Sequence, residues 1–208
     1  MESLTEFFGQ FIEYMQSGGL VMWPLFISVI ALWYALGYRY HTLKRGSKAN
    51  VRNLVRKYSA GIRKDSRGVI DGAIVEAIAI VDAYGRTRQT RRYLDDVFYF
   101  RLAEMGKYRR LVMTIVAAAP LIGLLGTVIG MIETFDSLAD SVLFSQTGGI
   151  AGGISQALFT TQLGLVVAVP GLIIGRILDR KHDNMITDLD QIKDILSTKE
   201  SDGVQNEK

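Results

Sequence analysis

Three long stretches of this chain carry no charged side chain, and they limit the folds that are open to it. They cover residues 14–38, 111–132 and 141–175 of a 208-residue sequence in which 22% of the residues are charged. About 20 apolar residues in a helix cross the roughly 30 Å hydrocarbon core of a bilayer. A soluble core can hide one such helix, but three in a chain of this length are typical of an integral membrane protein. The sequence therefore predicts an all-α membrane protein with three spans.

Small residues recur at helical spacing in the second and third stretches. In the second stretch the intervals are four, three and four, through Ala119, Gly123, Gly126 and Gly130. In the third stretch the same alternation runs through Ala157, Thr161, Gly164, Ala168, Gly171 and Gly175. Such spacing places these residues on one helix face. Because lipid provides no hydrophobic force between helices, small residues allow the close approach that holds spans together. We expect these faces to form contacts between spans or between subunits.

The basic residues predict the orientation in the membrane. All 24 Lys and Arg residues follow Tyr38, with 18 in residues 39–110, none in 111–175 and six from Arg176 onward. Under the positive-inside rule the basic segments are cytoplasmic and the acidic N-terminus lies outside. The predicted order is an outer or interfacial amphipathic helix (1–16), a first span (17–38), a cytoplasmic helical domain (39–110), a second span (111–132), an outer loop (133–153), a third span (154–177) and a cytoplasmic tail (178–208).

Three alternative interpretations are weaker. A signal peptide needs a basic n-region, and residues 1–38 contain no Lys or Arg. The first helix, with Leu4, Phe7 and Phe11 at helical spacing, suits the membrane interface better than a soluble packing role. The net charge of +11 in residues 39–110, 18 basic minus seven acidic, favours anionic membrane lipids rather than nucleic acid, because apolar residues at helical spacing interrupt it.

The cytoplasmic part is predicted to be helical, with turns at Gly46 and near residues 61–68. Apolar stripes at helical spacing begin at Val51, Val69, Leu94 and Met185. The third stripe continues without proline into the second span, so one helix is predicted over about residues 90–132. From Ser197 the tail is polar and is predicted to be disordered.

No motif points to an enzyme or to a bound cofactor. The chain has no cysteine, its two histidines are isolated in sequence, and it lacks the glycine-rich nucleotide motifs. We therefore expect no catalytic residues, no cofactor and no metal.

Polar side chains lie within the second and third spans, at Thr114, Thr127, Ser155, Gln156, Thr160, Thr161 and Gln162. In the third span they point to three sides of the helix, so lipid cannot surround it without leaving hydrogen-bonding groups unsatisfied. Hydroxyls bonded to their own helix, with amides bonded across a subunit contact, are one explanation. A ring of such helices around a pore is the other. No charged group lies deep in a span, since Glu133 is at the outer edge, so a partner has to supply a proton-carrying group.

The segments Gly123–Gly130 and Gly153–Leu165, with the pair Val169-Pro170, resemble the MotA/TolQ/ExbB proton-channel family, and ExbB in particular. The resemblance implies an inner-membrane homo-oligomer, a pentamer around a central pore. It also implies that the pore encloses an ExbD-like dimer of single-span proteins, and that proton flow through it energises a TonB-like protein. The family's pore threonines correspond to Thr127 and Thr161.

The candidate proton path consists of Thr127, Gln156, Thr160 and Thr161. Where many relatives have Glu in the third span, this chain has Gln156, whose amide can bond water or a partner carboxylate but cannot exchange a proton. A TolQ-like role in envelope maintenance, a structural membrane scaffold and a self-sufficient channel are the alternatives. The last is disfavoured because three spans without a repeat or a charged midplane site are unlike transporters.

Overall fold

The computed structural model describes the backbone of residues 2–47, 49–62, 68–141 and 148–197, and the regular structure of these residues is entirely helical. The elements are α1 (Glu2–Ser17), one 3₁₀ turn (Gly19–Val21), α2 (Met22–Thr42), α3 (Val51–Ser59), α4 (Val69–Tyr84), α5 (Arg88–Met105), α6 (Arg109–Ser141) and α7 (Gly148–Ser197). Three stretches of helix are long and apolar enough to cross a membrane. They contain the predicted second and third spans and all but the first two residues of the predicted first span, because the first stretch begins at Gly19. The prediction of an all-helical membrane protein is confirmed.

The prediction of one helix over residues 90–132 is wrong. Helix α5 ends at Met105 and α6 begins at Arg109. Between them Tyr108 has φ of 62°, a left-handed conformation that an L-residue adopts only at a cost of roughly 1–2 kcal/mol. The Gly106 N–H donates to the Leu102 carbonyl at 3.0 Å and closes the end of α5. An isolated glycine in a helical pattern was the available sign of this break.

The predicted outer loop, residues 133–153, is largely helical. Helix α6 continues to Ser141 and α7 already begins at Gly148, while residues 142–147 lie outside the described part of the chain. The two helices are still in contact within the predicted loop, because a Cβ on Gly153 would lie 2.9 Å from the Thr134 amide nitrogen. This packing favours helix over loop. The tail after Ser197, predicted to be disordered, also lies outside the described residues.

The chain divides into two compact units. The first comprises Met1–Gly37 and Tyr108–Arg176, and it contains the apolar parts of α2, α6 and α7. In this unit α1 packs against the spans through aromatic rings: Phe11 lies 5.2 Å from Phe26, and Tyr14 lies 5.0 Å from Phe159, measured between ring centroids. Burial raises the pKa of the Tyr14 hydroxyl.

The second unit comprises Tyr38–Lys107 and Ile177–Lys208 and contains α3, α4, α5 and the ends of α2 and α7. The apolar stripes predicted for its helices supply its buried core: Val51, Leu54, Val55, Tyr58, Ile70, Ala73, Ile74, Ala77, Leu94, Phe98, Met105, Met185, Leu189, Ile192 and Leu196. The helical periodicity of the sequence therefore identified the inward faces of these helices correctly.

An ion pair joins α2 to α7 inside the second unit. The Arg39 guanidinium donates to the Asp179 carboxylate at 2.8 Å, and the two side chains are 1% and 16% exposed. Removing one partner of a buried pair leaves the other charge uncompensated, which costs far more than the net value of the pair.

We expect Asp179→Ala to lower the free energy of unfolding by about 3–5 kcal/mol, because Arg39 would stay buried without its carboxylate. Denaturant titration of the purified protein in detergent measures this. The control is Asp194→Ala, which removes the partner of Arg91 from a pair whose side chains are 65% and 54% exposed. That change should cost no more than about 1 kcal/mol. Equal losses in the two variants would show that Arg39 is not truly desolvated.

Candidate functional site: the polar face of the α6–α7 helix pair

Helices α6 and α7 approach each other through the predicted small residues. A Cβ on Gly164 would lie 2.7 Å from the carbonyl oxygen of Ala119 and 3.3 Å from the Gly123 Cα. A Cβ on Gly123 would lie 3.0 Å from the Thr160 carbonyl oxygen. Cβ atoms do not occupy such positions without a shift of the backbone they face. The backbones of the two helices are therefore in direct contact within one subunit.

The contact extends toward the C-terminal end of α6 and the N-terminal end of α7. Gly126 faces the Thr160 side chain so closely that no Cβ would fit, and a Cβ on Gly130 would lie 2.9 Å from the Ala157 amide nitrogen. Thr134, one turn beyond Gly130, is buried against Gly153. Each of these contacts thus has a glycine on one helix facing a residue of the other helix.

Toward the other end, the same stripe on α7 meets two helices. A Cβ on Gly171 would lie 2.8 Å from Val116 of α6 and 2.9 Å from Leu32 of α2. Ala168, one turn earlier, is buried, and Gly175 faces Val112 at an ordinary contact distance of 3.4 Å. The first part of the stripe on α7 therefore contacts α6 alone, and near Gly171 the stripe contacts both α6 and α2.

Thr160 lies in this packing contact between α6 and α7. Its side chain is fully buried against Gly126, and its hydroxyl donates to the carbonyls of Gln156 and Ala157 at 3.2 and 3.0 Å. Because this hydroxyl donates to its own helix and is covered by α6, water does not reach it within the subunit. The sequence places Thr160 in the candidate proton path; within the subunit its hydroxyl is enclosed, and its part in conduction stays a prediction.

Thr161 and Thr127 are partly exposed. The Thr161 hydroxyl lies 3.1 Å from the Ala157 carbonyl and 3.4 Å from the Gly123 carbonyl, so it spans the seam between α7 and α6. The Thr127 hydroxyl donates to the Leu124 carbonyl at 2.6 Å. Each hydroxyl uses its proton on the backbone and keeps oxygen lone pairs that can accept from water or a partner.

Gln156 lies in a polar group toward the N-terminal end of α7, where it meets the C-terminal part of α6. Its amide Nε2 donates to the Glu133 carboxylate at 3.3 Å. The 3₁₀ turn approaches from the other side, where Gly19 has φ of +64° and sits so close to the Gln156 amide that a Cβ would collide with it. Glycine is needed there both for the left-handed conformation and for the close approach.

Glu133 is the functional candidate that sequence reasoning missed. The sequence places Glu133 at the edge of the second span, and in the structure its carboxylate accepts a hydrogen bond from the Gln156 amide. The signal was present in the sequence, because Glu133 follows Gly130 at the next interval of three and so continues the stripe that faces α7. The spacing predicts which helix face carries Glu133, but its contact with Gln156, 23 positions away, depends on how α6 and α7 pack.

Exposed polar groups also remain on the membrane-crossing part of the pair. Gln162 on α7 and Thr114 on α6 are exposed among exposed apolar neighbours such as Leu165 and Met113. Among the described residues, no group of three or more His, Asp or Glu side chains is placed to hold a metal.

Three apolar helices, packed through small residues and carrying uncharged polar groups on the pair, define a polytopic all-α membrane protein. Residues 66–191 match the model of the MotA/TolQ/ExbB proton channel family. Because this match covers more than half of the 208 residues, the chain belongs to that family.

Individual relatives are of the ExbB type. The chain is 24% identical over 204 residues to an ExbB homolog of Methanothermobacter thermautotrophicus, covering 93% of this chain and 71% of that relative. It is 35% identical over 88 residues to an ExbB-like biopolymer transport protein of Synechocystis, covering 42% of each chain. It is 36% identical over 89 residues to the biopolymer transport protein ExbB of Aquifex aeolicus, covering 43% of this chain and 60% of the relative. The last two matches thus span less than two thirds of those relatives.

Proposed function

We propose that the chain is the channel-forming subunit of a proton-driven complex in a bacterial-type inner membrane. Several copies, five by the resemblance to ExbB, surround the single transmembrane helices of an ExbD-like dimer, whose carboxylate carries the proton. Thr127, Gln156 and Thr161 solvate the path without titrating, and the flow does work through a TonB-like protein. Membership of a proton channel family and the biopolymer transport names of the relatives support this proposal.

The observation that carries the proposal is the exposed amide of Gln162 in the third span. An amide facing hydrocarbon leaves donors and acceptors unsatisfied, at a cost of several kcal/mol per group. In the functional assembly this face is therefore covered by protein or water. A structural scaffold could use such a group only to hydrogen-bond across a subunit contact, whereas a subunit that lines a wet path needs one.

Glu133 sharpens the proposal. Its carboxylate accepts a hydrogen bond from Gln156, a residue of the proposed path, and in the proposed orientation it lies toward the outer end of the span. We assign it to attracting protons at the mouth of the path. In this proposal the group that takes up and releases the proton within the membrane is a carboxylate of the partner protein.

Proton flux into liposomes tests the proposal directly. We expect vesicles that contain this chain alone to be nearly impermeable to protons, and vesicles that also contain its single-span partner to show flux. An Asp→Asn change in the span of the partner should abolish that flux. Robust flux from this chain alone would overturn the assignment of the proton carrier to the partner.

The proposed orientation predicts which sites an impermeant reagent can reach. The chain has no cysteine, so Ala139→Cys and Ser59→Cys each introduce a single thiol at an exposed position. In intact spheroplasts we expect a membrane-impermeant maleimide to label position 139 and not position 59, because the segment rich in Lys and Arg is cytoplasmic. Both should react after lysis. Labelling of position 59 in intact spheroplasts would invert the topology.

A further inference from the structure

The second unit contains a basic pocket between the end of α2 and α7. The cavity has a volume of about 470 Å³, and its polar side chains are those of Tyr40, Lys44, Arg45, Lys181 and Asn184. None of these residues belongs to the polar face of the α6–α7 pair. The pocket is large enough for a phosphate group with a small polar substituent.

Two ammonium groups in the lining are available to an anion. The Lys181 ammonium lies 5.4 Å from the centroid of the Tyr40 ring, a cation–π contact that positions the charge without neutralising it. Lys44 is exposed. In the part of the chain that the structure describes, neither ammonium is within ion-pair distance of a carboxylate.

Arg45, the third basic residue of the pocket, is already engaged. Its Nε donates to the Asp188 carboxylate at 2.7 Å, and its Nη1 and Nη2 donate to the carbonyls of Ser47 and Ala49 at 3.0 and 3.5 Å. Arg45 therefore shapes the wall of the pocket, and the Asp188 carboxylate compensates its charge. Among the described residues, Lys44 and Lys181 are the basic groups of the pocket without a carboxylate at ion-pair distance.

The pocket also has an apolar floor, formed by the buried side chains of Leu43 and Met185. The lining residues follow closely after two of the uncharged stretches in the sequence, residues 14–38 and 141–175. Lys181 follows Arg176, the first charged residue after the third stretch, by five positions, or roughly 7 Å of helical rise. The headgroup layer occupies about this depth beyond the hydrocarbon core. Tyrosines such as Tyr40 are enriched at the same level.

We propose that this pocket binds the phosphate of an anionic phospholipid from the cytoplasmic leaflet, an assignment that rests on the proposed orientation. Lys44 and Lys181 pair with the phosphate, and the Asn184 amide and Tyr40 hydroxyl supply hydrogen bonds to the headgroup. A free phosphate ion could also pair with Lys44 and Lys181, but it has no apolar part to contact Leu43 and Met185. The proposal thus assigns a specific lipid-binding site, in addition to the general attraction between basic segments and anionic lipid.

Native mass spectrometry of the full-length protein in detergent, titrated with dioleoyl phosphatidylglycerol, tests the proposal. We expect saturable binding that weakens at least tenfold in Lys44→Gln/Lys181→Gln. Lys57→Gln/Arg92→Gln removes the same charge from two exposed residues outside the pocket and should bind like the wild type. Lys44→Gln alone changes one exposed side chain and should give an intermediate loss, which keeps the test valid if the double variant fails to fold.

Three results would overturn the proposal. Equal weakening in the pocket variant and the control variant would mean diffuse attraction to charge. Equal binding of dioleoyl phosphatidylcholine would mean that the acyl chains alone are recognised. Displacement of the lipid by inorganic phosphate at the same concentration would identify a free-phosphate site. The titration needs neither the partner protein nor a proton gradient, so its outcome is independent of the flux measurements.

Discussion

Thr161→Val is expected to reduce partner-dependent proton flux in liposomes by tenfold to a hundredfold while the subunit stays folded. The substitution keeps the shape of the side chain and removes the hydroxyl that spans the seam between the Ala157 and Gly123 carbonyls. Losing a hydrogen-bonding site from a buried polar path costs roughly 1–3 kcal/mol, which corresponds to a rate loss of this size. The initial rate of flux under an imposed proton gradient is the measurement.

The neighbouring threonine provides a matched control. Thr160→Val makes the same chemical change one position earlier, where the hydroxyl is enclosed by Gly126 and bonded to its own helix. We expect this variant to retain most of the flux. If Thr160→Val loses as much flux as Thr161→Val, the seam hydroxyl has no special role and the assignment of Thr161 to the path is wrong.

The second large effect is expected from Gly164→Leu, which should lower the free energy of unfolding by more than about 3 kcal/mol. A Cβ at this position would already lie 2.7 Å from the Ala119 carbonyl oxygen, and the rest of the leucine side chain has no space. Overpacking against flexible side chains usually costs about 1–3 kcal/mol, but here the obstacle is helix backbone, which cannot move aside without separating α6 from α7. Denaturant titration of the purified protein in detergent measures the loss.

Gly152→Leu is the control for this change, because it lies on the same helix in a position where a Cβ meets nothing within 4 Å. It should leave stability within about 0.5 kcal/mol of the wild type, as exposed substitutions usually do. A Gly164→Leu protein as stable as the Gly152→Leu protein would show that α6 and α7 are not in backbone contact. Dispersal of an oligomer with an intact monomer fold would place the contact between subunits instead.

Much of the fold could be predicted because helices impose a regular period on burial. The uncharged stretches marked the spans, and the stripes beginning at Val51, Leu94 and Met185 identified the buried faces of the second unit. These are local properties, since a residue's place on a helix face depends only on its distance along the chain. The break at Gly106–Tyr108 escaped prediction because the apolar period continues across it.

The candidate site was harder to predict, because neighbouring residues with the same side chain have different surroundings. Thr160 and Thr161 differ by one position and therefore by about 100° around α7, so one meets Gly126 and the other reaches the seam. Which direction faces α6 depends on how the two helices pack. The role of Thr161 in conduction is a proposal, whereas its position relative to α6 is a structural fact.

The sequence by itself determined that this is an all-helical membrane protein, since charge-free length and short-range spacing are encoded locally. The segments Gly123–Gly130 and Gly153–Leu165 carried its resemblance to the MotA/TolQ/ExbB family. Only the tertiary structure decided that Thr160 is enclosed by Gly126, and that Glu133 lies beside Gln156. It also showed that the pocket at Lys44 and Lys181 is open. Each of these depends on the rotation and spacing of one helix against another. Interhelical geometry comes from the sum of many side-chain contacts, and no single segment of the sequence contains it.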